Sequence, residues 1–165
     1  MPGLQIVVDT REKTPFQFVG YDCTATRGTL RTGDYSLAGY EEKVAVERKS
    51  LPDLVLSLTT GRSRFVRELE RSRELDSFAV IIEADVNAVR HHLYRSKAAP
   101  HSILQSVISL GMRFKVPFIW AGSREGAEYM AFWNLEKWLK EKQSQGLDCV
   151  EPVIISVDSS TPKSL

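Results

Sequence analysis

Near position 45 the chain reads Val44-Ala45-Val46-Glu47-Arg48-Lys49, three apolar residues followed by three charged ones. The two valines favour a β-strand, because β-branched side chains fit a pleated surface. Side chains on a strand alternate between its two faces, so Glu47 and Lys49 share one face and Arg48 lies on the other. The end of this strand therefore presents a carboxylate beside an ammonium group.

An aspartate precedes the strand that we expect to pair with this one. The sequence predicts a strand over 35–38 and a connection over 39–43, which is the spacing of a β-hairpin. The dipeptide Gly33-Asp34 marks the turn where the first of these strands begins. The hairpin is expected to bring Asp34 within a few ångströms of Glu47.

A third carboxylate, Asp9, ends the first predicted strand, over 4–9, and it joins the pair if that strand is the neighbour in the sheet. Converging carboxylates repel one another unless a cation lies between them, and oxygen ligands favour Mg²⁺ or Mn²⁺. An amine beside such a metal, here Lys49, suits phosphoryl chemistry. Each feature alone is common in ordinary structure, where Gly-Asp forms turns and Glu-x-Lys forms solvated ion pairs.

The remaining patterns predict an α/β fold with one central mixed sheet flanked by helices on both faces. The predicted strands cover 4–9, 23–30, 35–38, 44–49, 78–83 and 116–120. The predicted helices cover 51–58, 62–75, 101–112 and 124–143, with Ser50 and Ser123 as the predicted N-caps of the first and the last. Pro117 favours an edge position or the start of its strand. We expect one domain over 1–143, followed by a tail over 144–165 with one further strand at 153–155.

Composition sets limits on the class of protein. The chain has 165 residues, of which 42% are hydrophobic and 26% charged, which is typical of one ordinary folded domain and excludes collagen-like, disordered and membrane-spanning chains. The net charge is +1, so any nucleic-acid footprint must be local. Two distant cysteines and the absence of a signal-peptide pattern predict a protein that is not secreted, with a cytoplasmic (nucleoid-associated) or nuclear location.

The charged positions resemble the signature of a known family. Gly33-Asp34, then Glu47-Arg48-Lys49, then Asp53 match the GD-x(n)-ERK-x(3)-D pattern of XPF-type structure-specific endonucleases, a branch of the PD-(D/E)XK nuclease superfamily. The opening Val8-Asp9-Thr10-Arg11-Glu12 is similar to the V-D-x-R-E motif of that family. The resemblance spans roughly 4–143 and implies a restriction-endonuclease-like core.

The resemblance also implies an activity. It predicts an Mg²⁺- or Mn²⁺-dependent endonuclease that hydrolyses phosphodiesters in double-stranded or branched (flap- or fork-like) DNA, in repair or recombination. The cut is expected to leave a 5′-phosphate and a 3′-hydroxyl. One alternative is a non-catalytic DNA-binding subunit or partner of a nuclease complex, although such relatives typically lose acidic or lysine motif positions. A second alternative is an enzyme that uses the same kind of metal site on another substrate.

Individual roles follow from the same resemblance. Asp34 and Glu47 are the predicted principal metal ligands, with the Arg48 carbonyl and Asp9 as further ligands, and Lys49 acts on the water and the scissile phosphate. Arg48 lies on the far face of the strand, which leaves both a structural ion pair and a direct phosphate contact open. The residues assigned to the catalytic site are Asp9, Glu12, Asp34, Glu47, Arg48, Lys49 and Asp53.

Basic residues outside the motif are candidates for DNA contacts. Arg62 and Arg64 begin a predicted helix, and both their side chains and the N-terminus of that helix favour the binding of a phosphate. Arg11 lies in the opening motif. The arginines further along that helix alternate with glutamates and are expected to form a solvated surface. The segment 91–97, which contains two adjacent histidines, is predicted to be solvated basic surface with a secondary DNA contact rather than a metal site.

The last predicted helix has an unusually wide apolar arc. Tyr129, Phe132 and Trp133 extend it beyond the width of a half-buried helix. Either the tail covers this apolar arc, or the arc forms an interface with a second copy or another subunit. Only 22 residues follow position 143, which is too few for the helix-hairpin-helix module that XPF-type nucleases often carry.

Overall fold

The computed structural model describes residues 2–146, which form six strands and five helices. The strands are β1 (Leu4–Asp9), β2 (Cys23–Gly28), β3 (Tyr35–Leu37), β4 (Val44–Lys49), β5 (Ser77–Ile82) and β6 (Phe118–Trp120). The helices are α1 (Leu51–Leu58), α2 (Arg62–Ser72), α3 (Val86–Arg90), α4 (Pro100–Phe114) and α5 (Arg124–Ser144). Within this range no helix is both long and apolar enough to cross a membrane. The strand predicted at 153–155 lies outside the described residues.

The six strands form one mixed sheet in the order β2-β1-β3-β4-β5-β6. β3 pairs antiparallel with β4, which confirms the predicted hairpin, and β3 also pairs antiparallel with β1. β5 and β6 continue the sheet parallel to β4, whereas β2 runs parallel to β1 at the other edge. Pro117 directly precedes the edge strand β6, as expected for a residue without a backbone N–H.

Helices cover both faces of the sheet, which confirms the predicted α/β class. Ala45 and Val80 face one apolar cluster with α1, α2 and α4, whereas Val44, Val46 and Ile81 face a second cluster with α5. Burial of each large aliphatic side chain contributes about 1.5–3 kcal/mol. Successive side chains of β4 lie alternately in these two clusters. Glu47 is therefore on the face of the first cluster, and Arg48 is on the face of the second.

Polar side chains cap the starts of α1, α3 and α5. The Ser50 hydroxyl accepts a hydrogen bond from the Asp53 N–H at 3.2 Å, so α1 begins directly after β4. Ser123 caps α5 in the same way, through the N–H of Gly126 at 2.9 Å. The short helix α3 was not predicted, although the side chain of Asp85 caps it through the N–H of Ala88 at 2.8 Å.

The apolar arc of α5 is divided between core and surface. Phe132 is 4% exposed and packs against Tyr21, with ring centroids 4.7 Å apart. The prediction that Phe132 belongs to an interface is therefore wrong, because the segment between β1 and β2 covers it. Tyr129 is 55% exposed and Trp133 is partly buried, so these two side chains remain at the surface.

Candidate active site

The turn before β3 fixes the position of Asp34. Gly33 has φ +85°, and a Cβ at this residue would lie 2.8 Å from the Cβ of Ala45, so glycine is required for two reasons. The backbone N–H of Asp34 then donates to the carbonyl of Val46 at 2.9 Å. One carboxylate oxygen of Asp34 accepts a hydrogen bond from the Arg48 N–H at 2.8 Å. The side chain of Asp34 is thus held beside the end of β4, as the hairpin predicts.

The strand alternation places Glu47 and Lys49 together. The Lys49 ammonium lies 3.1 Å from a carboxylate oxygen of Glu47, and the two side chains are only 11% and 10% exposed. The same ammonium lies 4.8 Å from the centre of the Phe65 ring on α2, an attractive cation–π geometry. Packing and charge together hold the amine on the face predicted from the sequence.

A third carboxyl group, Glu68, reaches this face from α2. It lies within hydrogen-bonding contact of the Glu47 carboxyl group, and burial and that neighbour raise the pKa of Glu68 to about 8. The sequence interpretation missed this residue, because it treated the glutamates of α2 as partners for arginines on the same helix. The packing of α2 over the end of β4 is a tertiary contact that local spacing does not reveal.

The carboxyl groups perturb one another strongly. Burial and the charge of Glu47 raise the pKa of Asp34 to about 9. Burial lowers the pKa of Lys49, but the charges of Glu47 and Glu68 outweigh it, so the pKa lies above its ordinary value. Mutual repulsion of this kind, in a group of carboxyl oxygens, is relieved by a cation.

The chemistry of the oxygen donors fits a magnesium-type ion. Among residues 2–146 no three His, Cys, Asp or Glu side chains are grouped as a metal cage. Mg²⁺, however, is usually bound by one or two carboxylates and keeps several waters or substrate phosphates. Asp34 and Glu47 meet this requirement, and the Arg48 carbonyl remains a predicted ligand.

The opposite face of β4 carries a network of ion pairs centred on Arg48. Its guanidinium donates to both carboxylate oxygens of Glu12 at 2.9 and 2.8 Å, to Glu83 at 3.0 Å and to the Thr14 hydroxyl at 2.7 Å. Burial raises the pKa of Glu12, but the hydrogen bonds from Arg48 and from the Thr14 N–H outweigh it and lower the pKa. Of the two interpretations that the sequence left open for Arg48, the structure therefore favours the structural ion pair.

The opening motif lies beside the site, but its aspartate is engaged elsewhere. One carboxylate oxygen of Asp9 accepts from the Leu30 N–H at 2.9 Å and the other from the Arg11 guanidinium at 2.8 Å. Burial raises the pKa of Asp9, yet these hydrogen bonds outweigh it and lower the pKa. Asp9 is not among the described residues that line the cleft, so its role as a metal ligand stays a prediction.

A cleft of about 430 Å³ connects the site to solvent. Its lining includes Glu47 and Lys49 from β4, the motif residue Asp53, and two of the predicted DNA contacts, Arg11 and Arg64. The third, Arg62, instead donates to the Ser106 hydroxyl on α4 at 3.0 Å. The charged residues in the lining are Arg11, Glu12, Lys13, Asp34, Glu47, Arg48, Lys49, Asp53, Arg64 and Glu68.

Comparison with known proteins agrees with this arrangement. A family model described as the ERCC4 domain matches residues 8–132. The chain belongs to the ERCC4-domain family. The resemblance to XPF-type nucleases is thereby confirmed, and the match includes every residue assigned to the catalytic site.

The fold of this ERCC4 domain is shared with solved structures. XPF from Aeropyrum pernix aligns over 86% of this chain and 68% of its own, with a TM-score of 0.64 and 20% identity. The structure of XPF from Aeropyrum pernix in complex with DNA aligns over 89% and 68%, with a TM-score of 0.64 and 21% identity. These matches confirm the restriction-endonuclease-like core. A search of curated protein sequences gave no match.

Proposed function

We propose that this ERCC4 domain is an Mg²⁺- or Mn²⁺-dependent endonuclease that hydrolyses phosphodiesters in double-stranded or branched DNA, in repair or recombination. The convergence of Asp34, Glu47 and Lys49 at the base of one open cleft carries the proposal. The complex of XPF from Aeropyrum pernix with DNA supports the choice of substrate. A non-catalytic relative would be expected to lose acidic or lysine positions of the motif, and this chain retains all three residues.

Each residue of the cleft has a distinct part in this reaction. Asp34 and Glu47 would hold the cation, which supplies Lewis-acid stabilisation of charge on the phosphate and lowers the pKa of the attacking water when it is bound. The neighbouring carboxylates keep Lys49 protonated, so its ammonium donates a hydrogen bond to a phosphate oxygen or orients the water. Arg11 and Arg64, at the cleft wall, bind flanking phosphates.

The experiment compares cleavage of single-stranded, duplex, nicked, flap and fork DNA in Mg²⁺, in Mn²⁺ and in EDTA. We expect metal-dependent cutting of one or more duplex-containing substrates. Glu47→Gln removes one anionic ligand with almost no change in volume. Because loss of residues that merely support a ligand costs 10–100-fold, we expect at least about a 100-fold loss of cleavage, with DNA binding retained.

Glu70→Gln is the matched control, because Glu70 is an exposed glutamate on α2, outside the cleft. It should leave both cleavage and binding unchanged. DNA binding without cutting under any metal condition would instead support the non-catalytic alternative. Metal-dependent hydrolysis of another substrate, without any DNA binding, would contradict the proposal.

The proposal includes a location and a second protein. A DNA substrate requires a compartment that contains DNA, either a nucleoid-containing cytoplasm or a nucleus. Tyr129, which is exposed, and Trp133, which is partly buried, form an aromatic surface on α5 for a second copy or another subunit, with ring centroids 6.1 Å apart. Analytical ultracentrifugation of the chain and of Tyr129→Ala tests the homodimer, which a concentration-independent monomer would exclude.

A further inference from the structure

Charge is unevenly distributed along the chain. The stretch 86–124 contains six of the 22 lysines and arginines, all three histidines, and none of the 21 aspartates and glutamates. The rest of the chain carries 16 lysines and arginines against 21 acidic residues. A chain with a net charge of +1 therefore contains one continuous basic region, which covers α3, α4 and β6.

The sheet topology places one end of this region beside the active site. β4 and β5 are parallel, and the N–H of Glu83, just after β5, donates to the carbonyl of Lys49 at 2.8 Å. The segment that leaves β5 therefore emerges at the same sheet edge as the catalytic lysine. α4 then runs back to the opposite edge, because β5 and β6 are parallel. With 15 residues, α4 separates the two ends by about 22 Å.

The basic side chains at the catalytic edge are exposed and free of acidic partners. Arg90, Arg95 and Lys97 are all exposed. Within residues 2–146, none of the three has a carboxylate within 4.0 Å, in contrast to Arg48 and Arg124, which share Glu83. Unpaired like charges repel one another, and the phosphates of a polyanion relieve that repulsion.

The loop between α3 and α4 has a defined shape. The rings of His92 and Tyr94 stack with centroids 4.3 Å apart. A ring nitrogen of His92 lies 2.6 Å from the carbonyl of Ser96, and the hydroxyl of Tyr94 donates to the carbonyl of Ala98 at 2.7 Å. Local bonds thus hold the segment that carries Arg95 in place, so little ordering entropy is lost on binding.

A surface groove joins this loop to the start of α1, which directly follows β4. Its lining includes His91 and Leu93 from the loop and Leu51, which lies two residues after Lys49. The acidic residues of the groove are already engaged: Glu83 accepts from two arginines, and Asp85 caps α3. The two arginines therefore offset the charge of Glu83 and reduce its repulsion of a phosphate, whereas Asp85 keeps its charge.

We propose that Arg90, Arg95 and Lys97 form a second binding site for the phosphate backbone of the duplex whose scissile strand enters the cleft. The inference rests on the proposed function, and it names the surface that holds the DNA beyond the cleavage point. Contacts of this kind position a duplex without reading its sequence. Such a surface supplies duplex affinity from within the nuclease fold itself.

The experiment measures the salt dependence of duplex binding in EDTA, where no cutting occurs, between about 50 and 200 mM salt. The test variant is Arg95→Gln with Lys97→Gln. The control is Arg113→Gln with Lys115→Gln, which removes the same charge from the same acid-free stretch at the far end of α4. Each phosphate contact contributes about 0.9 to the slope of log affinity against log salt concentration. The slope of the test variant should therefore be shallower than that of the wild type by about 1.8.

The control variant should keep the wild-type slope, and thermal melting of each variant confirms that it folds. An equal slope for the wild type and the test variant would overturn this inference and leave the proposed nuclease activity intact. Equal losses in both variants would also overturn it, because they would indicate a general charge effect. If the wild type does not bind DNA at all, the proposed function fails together with the inference.

Discussion

Asp34→Asn should make the metal-free protein more stable. Burial and the charge of Glu47 raise the pKa of Asp34 from 3.8 to about 9, so the folded state disfavours its ionised form. The native state then binds more protons than the unfolded state between those values, and stability falls as the pH rises through them. At pH 7 the part of this shift that lies between pH 3.8 and pH 7 corresponds to about 4 kcal/mol, an upper limit because Glu47 and Glu68 share the repulsion with Asp34. We expect a gain of about 1–3 kcal/mol.

The assay is urea denaturation of the wild type and the variant in EDTA at several pH values. The asparagine oxygen can still accept the hydrogen bond from the Arg48 N–H, so the local geometry is retained. The advantage of the variant should increase from pH 5 to pH 8. In buffer without EDTA, the stabilisation that added Mn²⁺ gives the wild type should be lost in the variant. Glu70→Gln, on an exposed surface, should change stability by less than about 0.5 kcal/mol. A variant that is no more stable than the wild type at pH 7 would refute the reasoning.

Three further predictions concern the support around the site. Arg48→Met leaves Glu12 and Glu83 without their shared partner and should cost about 3–5 kcal/mol in urea denaturation. Gly33→Ala forces a Cβ into contact with Ala45 at a positive φ, so thermal melting should show a loss of about 1–3 kcal/mol. The hydrogen bonds of Glu12 hold its pKa below 4.5, which stabilises the folded state when Glu12 is ionised. That stabilisation is lost as the pH falls through the folded pKa, so Glu12→Gln should flatten the acid side of a pH–stability profile.

Local rules predicted the parts of the site that lie on one hairpin. The alternation of a strand placed Glu47 and Lys49 together, and hairpin spacing placed Asp34 beside them, as observed. Capping rules likewise predicted the starts of α1 and α5 at Ser50 and Ser123. These features depend on residues within about 15 positions of one another, so the sequence pattern contains the information that determines them.

Features that depend on distant contacts could not be predicted in this way. Glu68 reaches Glu47 only because α2 packs over β4, and Phe132 is covered by a segment more than 100 residues earlier. The parallel pairing of β1 with β2 has no hairpin or helix between the strands to indicate it. The short helix α3 was missed for another reason, because five residues are too few to show a helical period.

The two faces of β4 restrict how this chain could change in length. An insertion or deletion of one residue within β4 before Glu47 would exchange the two faces for every later residue of the strand. The arginine would then replace the acid and the amine in the cleft. The same change in the connection over 39–43 would leave that order intact. Homologous chains should therefore vary in length in the connection and hold the strand itself at constant length.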